Sequence, residues 1–357
     1  MWLMIVIGSD PHKRNFTFAA VEHATGELLG RREAAAQAEQ FDRVLRWARE
    51  LDEQRVWAIE DCRHVSGRLE RFLLARGERI VRVSPKLMAG ARKSTRQPGK
   101  SDAIDALTVA RAVLREGVES LPCARLDERA LEIRLLLDHH DDLVAARTRD
   151  QGRLRWHLHD LDCPIEVPVG GLDRRVWLQR LSRWLARQPQ TARVRVARRL
   201  LSAIRAATRQ ITGLVGELGG LVAAYQPELL EQPGCGPLTA AKLIAEIAGA
   251  ERFKTDAQLA RTAGVAPIPA SSGRKDRHRL DRGGNRQLNL ALHRLAVNAG
   301  RHDAPTAAYL ARKQAQGKTR MEALRCLKRH LARRIFHLMT TNTPTPGKTP
   351  TPALALT

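Results

Sequence analysis

The chain has 357 residues, with 61 Lys and Arg against 38 Asp and Glu, a formal net charge of +23. At 43% hydrophobic residues it can fill more than one core, which excludes overall disorder despite the charge. No run of 18 apolar residues occurs, so no membrane span is expected, and the apolar start Met1–Ile7 is too short for a signal peptide. Five scattered cysteines without a Cys-x-x-Cys pair argue against disulfides or a zinc site and for a reducing, cytoplasmic setting.

In chain order, Leu3–Ile7, Phe16–Val21 and Glu27–Arg32 read as three consecutive strands, with Thr25-Gly26 as a turn. Ala38–Leu51 carries Phe41, Val44, Leu45 and Ala48 at helical spacing. Arg55–Ile59 reads as a strand, Val65–Ala75 as a helix and Arg79–Val83 as a further strand. Ser101–Leu114 predicts a helix without Gly or Pro, its apolar residues including Ile104, Leu107 and Ala110. Three strands, a helix, then alternating strands and helices is the order of a ribonuclease-H-like α/β domain. Leu126–Leu161 predicts a long charged helix whose leucines (Leu131, Leu135, Leu143, Leu154, Leu158) are spaced for one face. It suits a coiled coil or protomer-bridging helix, or simply a surface helix. Pro164–Gly171 reads as a turn region, Arg174–Arg187 and Arg193–Ala224 as helices, and the Thr/Pro-rich Thr340–Thr357 as a disordered tail.

Four carboxylates fall where such a fold can gather them. Asp10 ends the first strand, Glu60 the fourth, and Asp102 and Asp105 lie three apart at the start of a helix, on one face. Neighbouring strand ends can present two carboxylates together, and a later helix can add two more. A cluster of that kind repels itself unless it holds cations, and two Mg²⁺ (or Mn²⁺) ions are the usual answer in phosphoryl transfer. Each residue also has a plainer reading. Asp102 follows Ser101 at a helix start and could only complement the dipole, Asp10 could be a turn residue, and Asp61 competes with Glu60.

The surplus charge is uneven. Residues 1–117 hold 21 basic and 16 acidic side chains, residues 118–225 hold 18 and 13, and residues 226–357 hold 22 and 9. The densest stretch runs from Arg274 to Arg286, with Lys275, Arg277, Arg279 and Arg282 between. It reads either as a solvated loop or as a loop that hugs phosphates. Upstream, Gly234-Cys235-Gly236 precedes a helical pattern containing Thr239 and Lys242. This fits a helix-hairpin-helix DNA-binding turn, whose glycines let backbone approach a phosphate, or an ordinary αα-corner. Ser271 and Ser272 stand before Gly273 and the basic loop, as phosphate ligands, turn residues or a nucleophile.

Taken together, these marks resemble the DEDD-type insertion-sequence transposases of the group whose founding member is numbered one hundred and ten. The resemblance covers about residues 3–340 and rests on an ordered set: Gly8-x-Asp10-x-His12-Lys13, Glu60, Lys100-Ser101-Asp102-x-x-Asp105-Ala106, Pro233–Ala240, Arg252-Phe253, Ala263–Pro267, Ser271-Ser272-Gly273, Gly284-Asn285-Arg286, Ala308-Tyr309, Gly317-Lys318 and Glu322-Ala323-Leu324. Two departures stand out. Glu60 is followed by Asp61-Cys62-Arg63 rather than a Thr-Gly-x-Tyr-like segment, and position 101 is Ser where Thr is frequent.

The resemblance implies a RuvC-like metal-binding domain over residues 1–117, with Asp10, Glu60, Asp102 and Asp105 as metal ligands and catalytic residues. It implies a helical or coiled-coil linker and oligomerisation region over 118–225, and a helical transposase domain over 226–340 with a helix-hairpin-helix-like motif. Residues 341–357 lie outside it as the tail. It implies a serine nucleophile, best matched by Ser272, that attacks DNA and forms a phosphoserine link. Nucleic acid would be bound by Gly234, Gly236, Thr239, Lys242, Arg274, Lys275, Arg277, Arg279, Arg282 and Arg286. Its partners would be donor and target DNA, a non-coding guide RNA and further copies of the chain, as a dimer or tetramer, in the bacterial cytoplasm and at the nucleoid. Two rivals share the same residues: a metal-dependent structure-specific endonuclease in which water attacks, and a binding protein without catalysis. Clustered carboxylates near phosphate speak against the second, since binding alone gains nothing from them.

Overall fold

The computed structural model describes residues 4–60, 63–83, 87–88, 102–125, 127–270, 278–279, 281 and 283–341. They form two compact units, residues 129–245 and a discontinuous unit of residues 1–128 with 246–357.

The discontinuous unit begins with strands β1 (Ile5–Pro11), β2 (Asn15–Glu22) and β3 (Leu28–Ala35), then α1 (Ala38–Leu51), β4 (Arg55–Glu60), α2 (Arg63–Leu74), β5 (Ile80–Val83) and α3 (Asp102–Glu116). The sheet order is β3-β2-β1-β4-β5. The first three strands form an antiparallel meander, and β4 and β5 run parallel to β1. This is the ribonuclease-H-like arrangement that the element order predicts.

Strand alternation divides the sheet into two faces. Ile5, Ile7, Phe16, Phe18, Trp57 and Ile59 pack with Phe41, Val44, Leu69 and Leu73 of α1 and α2. Phe16 meets Phe41 edge-on at 5.3 Å between ring centres, and Phe18 meets Trp57 likewise at 6.0 Å. Each such pair adds about 0.5–1.5 kcal/mol beyond burial. The other face is made of smaller residues, Val6, Val21, Val56, Ala58, Val81 and Val83, against Val109, Ala110 and Val113 of α3. Where β4 and β5 begin, the Trp57 indole N–H donates to Glu78 at 2.9 Å and the Arg55 guanidinium at 2.7 Å. Burial pushes the Glu78 carboxyl up, but these bonds outweigh it and leave Glu78 below its ordinary range.

The rest of this unit is helical: α8 (Asp256–Thr262), α9 (Arg286–His302), α10 (Ala304–Ala315) and α11 (Arg320–Thr341), with a two-stranded ribbon of β6 (Ile268–Pro269) and β7 (His278–Arg279). The Asn285 side chain caps α9, accepting from the amides of Gln287 and Leu288 at 2.9 and 3.0 Å. Two glycines interlock here. Gly284 has φ 84°, and a Cβ on it would sit 2.5 Å from the Gly264 amide nitrogen. A polar seam joins these helices to the sheet domain. Arg261 binds Glu116 at 2.6 Å, Gln258 donates to the Ser120 carbonyl at 2.9 Å, Arg125 pairs with Glu251, and Lys254 and Arg79 converge on Glu119.

The second unit holds α4 (Glu128–His159), α5 (Arg175–Ala186), α6 (Ala192–Tyr225) and most of α7 (Pro237–Ile247). At 34 residues, α6 is about 51 Å long. Leu154, Leu158, Leu178, Leu181, Leu185, Leu200 and Ile204 form its core, while Leu135, Trp156 and Val176 remain exposed.

Candidate active site

The alternation of β1 and β4 places two of the predicted carboxylates. Val6, Gly8 and Asp10 occupy one face of β1, and Val56, Ala58 and Glu60 the same face of parallel β4. Ser9 pairs with Ile59, so Asp10 and Glu60 follow side by side at the strand ends. Asp10 is buried at 6% exposure, and Glu60 is half-buried. The His12 imidazole lies 3.1 Å from the Asp10 carboxylate. Thr17, the cross-strand partner of Asp10 on β2, is buried on the same face. The sequence reading does not single out Thr17, although its place between Phe16 and Phe18 carries that signal.

The third carboxylate arrives with α3. A Cβ on Gly8 would lie 2.0 Å from the Ala106 carbonyl oxygen and 2.6 Å from the Ala110 nitrogen, so this helix rests directly on β1 where Gly8 leaves room. Asp105, adjacent to Ala106, is buried on the stripe that continues to Val109 and Val113. Asp102 opens the helix, and its side chain lies outside the described residues, as does Asp61. Among the described residues no group of three His, Cys, Asp or Glu side chains is arranged to hold a metal ion. Asp10, Glu60 and Asp105 nevertheless supply only hard oxygen donors on one face, a set that suits Mg²⁺ or Mn²⁺ rather than a thiolate-bound metal.

The glycine turn is placed differently from a plain phosphate hairpin. Gly234 has φ 78° and Gly236 is exposed, but the helix before them is a single 3-10 turn, Pro227–Leu229. Pro237 opens α7 without an N–H, and the amides of Thr239 and Ala240 already donate to the Gly236 carbonyl at 3.0 Å. Cys235 is buried, which pushes its thiol up to about 12 and leaves it unreactive. Lys242, expected at a nucleic-acid surface, is instead buried. Its ammonium binds Asp141 at 3.1 Å, because one turn of α7 turns that face inward against α4.

In the C-terminal helices, Arg279 ends β7 and Arg286 opens α9, both exposed. Ser271, Ser272, Arg274, Lys275, Arg277 and Arg282 lie outside the described residues. On either side of residues 271–277, β6 and β7 pair antiparallel, Ile268 with Arg279 and Pro269 with His278.

Two family models match the chain in order. Residues 7–161 match a DEDD transposase model of the IS110 type, and residues 226–311 match "Transposase IS116/IS110/IS902 family". The chain belongs to the IS116/IS110/IS902 transposase family. It is accordingly a transposase, an enzyme that acts on DNA. Its relatives include the IS116 insertion-element protein of 44.8 kDa from Streptomyces clavuligerus, 29% identical over 91% of this chain and 92% of that one. The IS900 insertion-element protein of Mycobacterium paratuberculosis is 25% identical over 90% and 92%. Among solved structures, T. thermophilus RuvC in complex with a Holliday junction substrate aligns with 32% of this transposase and 96% of that chain, at 17% identity and a TM-score of 0.25. At that score the likeness adds nothing to the sheet order. No described helix of the transposase is long and apolar enough to cross a membrane.

Proposed function

We propose that this transposase cuts and rejoins DNA at insertion-sequence ends through a divalent-metal site on Asp10, Glu60, Asp102 and Asp105 and a serine nucleophile, Ser272. The observation that supports it most is the shared face: Asp10 and Glu60 at neighbouring parallel strand ends, beneath the helix that carries Asp105. Bound Mg²⁺ or Mn²⁺ would activate the attacking oxygen and offset charge on the leaving one. Ser272 Oγ would form a new bond to phosphorus as the bond to one sugar oxygen breaks. The phosphoester energy is thereby kept, and a second sugar hydroxyl can reverse the exchange to rejoin strands. Arg274, Lys275, Arg277, Arg279, Arg282 and Arg286 would hold phosphates near that serine, and the glycines Gly234 and Gly236 would let backbone approach a phosphate elsewhere on the strand.

The family resemblance extends the reading to a structured guide RNA that selects donor and target DNA, and to a dimer or tetramer. The deciding experiment is denaturing-gel capture of a covalent protein–DNA adduct on a suicide substrate. Ser272→Ala should abolish the adduct and keep nucleic-acid binding. An adduct that survives Ser272→Ala and disappears in Ser271→Ala would move the nucleophile to Ser271. Hydrolysed product with no adduct in the unsubstituted protein would point to a water-using endonuclease.

A further inference from the structure

A cavity of about 770 Å³ opens in the C-terminal helices, between the Gly264–Pro267 turn, β7, α10 and α11. That volume is in the range of small-ligand pockets. Six Lys and Arg side chains line it against two carboxylates, Asp281 and Glu322. Both carboxylates are engaged locally. Asp281 accepts from the Gly283 amide at 2.7 Å, and Glu322 accepts from the amide and hydroxyl of Thr319 at 2.8 Å each. Arg329 is matched by Asp256 at 3.0 Å, outside the cavity lining.

Two lining groups are left differently. Lys328 is buried at 8% exposure, and its ammonium donates to the Asn289 side-chain oxygen at 2.8 Å. No carboxylate among the described residues forms an ion pair with it. Asn289 is held in turn by the carbonyls of Ala263 and Gly264, so it cannot turn away. The Tyr309 hydroxyl is buried and has no hydrogen-bond partner among the described residues. Its ring is fixed edge-on to His330 at 5.5 Å between ring centres. A buried ammonium with no ion-paired carboxylate among the described residues and a buried phenol with no acceptor among them are both costly, and an anion in the cavity would relieve that cost. Burial drives the Lys328 ammonium down, with Arg325 adding to the effect, and drives the Tyr309 phenol up. The phenol thus stays a donor at neutral pH.

We propose that this cavity is a phosphodiester site, in which Lys328 and Tyr309 bind the phosphate of a nucleic-acid strand. The proposal rests on the nucleic-acid reading of the preceding subsection. A charged and a neutral donor on the lining of one cavity match a phosphate, which offers several acceptor oxygens to both kinds. Arg279, the exposed residue that ends β7, lines the same cavity and adds a further cation to it. DNA and guide RNA share this chemistry.

The test is fluorescence anisotropy with the full chain and labelled single-stranded DNA and RNA of one sequence, over a salt series. Lys328→Gln should weaken binding about tenfold in at least one arm, as loss of a charged hydrogen bond requires. It should also flatten the log–log salt slope by about one. Tyr309→Phe keeps the ring and its packing, and should weaken the same arm about threefold with the slope unchanged, as loss of a neutral bond requires. The arm affected identifies DNA or RNA as the source. Should Lys328→Gln fail to fold, Tyr309→Phe alone decides. Wild-type affinity and slope in both arms for the folded variants would overturn the site. If the unsubstituted protein binds neither strand, this inference and the nucleic-acid reading fall together.

Discussion

Gly8 and Ala106 lie so close that no side chain fits between them, since a Cβ on Gly8 would stand 2.0 Å from the Ala106 carbonyl oxygen. This contact seats α3 on β1 two residues before Asp10 and one residue after Asp105. The obstructing atom is backbone, which cannot swing aside. Gly8→Ala should therefore destabilise the discontinuous unit by about 3 kcal/mol, the upper part of the usual overpacking cost. Urea unfolding of the full chain measures it. A variant as stable as the wild type would show that α3 is not seated as described.

Replacing the carboxylates should separate chemistry from folding. Asp10→Asn and Glu60→Gln keep shape and remove negative charge, so thermal stability should hold or rise. Cleavage of DNA carrying an insertion-sequence end should fall by about three orders of magnitude, given the several kcal/mol that a bound metal ion contributes to the transition state. Nucleic-acid affinity should be kept, or strengthened by the lost repulsion. Gel assays of cleavage and binding on the same preparations check both.

Lys242 gives the opposite pattern. The Lys242–Asp141 pair sits between α7 and α4, and although burial raises the Asp141 carboxyl, bonds from Lys242 and His140 leave it below its ordinary range. Lys242→Met should destabilise the 129–245 unit by about 1 kcal/mol, since Asp141 is half exposed and well screened. The salt slope of DNA binding should not change. A slope reduced by about one would return Lys242 to the nucleic-acid surface.

The polar seam carries an acid limit. Hydrogen bonds from Lys254 and Arg79 hold Glu119 at about 2, against an ordinary value of 4.5. A carboxylate lowered in the folded state stabilises fully above its unfolded value, and that contribution is lost as pH falls through the folded one. The contribution of Glu119 should thus fade between about pH 4.5 and pH 2, and Glu119→Gln should flatten the stability profile in that window. Denaturant titrations of both proteins at several pH values compare the slopes.

Much of the sheet is legible from residue spacing. The helix over Ala38–Leu51 falls where Phe41, Val44, Leu45 and Ala48 put it, and β4 extends one residue past its predicted end to include Glu60. The shared face of Asp10 and Glu60 is also readable, because each ends a small-residue alternation, Val6-x-Gly8-x-Asp10 and Val56-x-Ala58-x-Glu60. The three helices from Arg286 onward are anticipated only as part of a helical domain and not one by one, although Leu288, Leu292, Leu295 and Ala299 carry the period of the first. Lys242 could not be placed from composition. A lysine inside a helix looks the same in sequence whether it faces solvent or an aspartate a hundred positions earlier. The cavity around Lys328 and Tyr309 was hidden for the same reason, since its lining comes from four separate segments.

The seam between residues 116–125 and 251–261 sets an order of assembly. The sheet strands are all synthesised before residue 84, yet their unit gains its remaining helices only after a 117-residue excursion, residues 129–245. A ribosome working at about 5–20 residues per second leaves the intervening chain exposed for several seconds before Lys254 and Arg261 can reach Glu119 and Glu116. Completion of that unit, with the carboxylates on its sheet, is thereby coupled to translation of the C-terminal third. A prematurely terminated transposon product would carry the acidic residues without the helices that brace them.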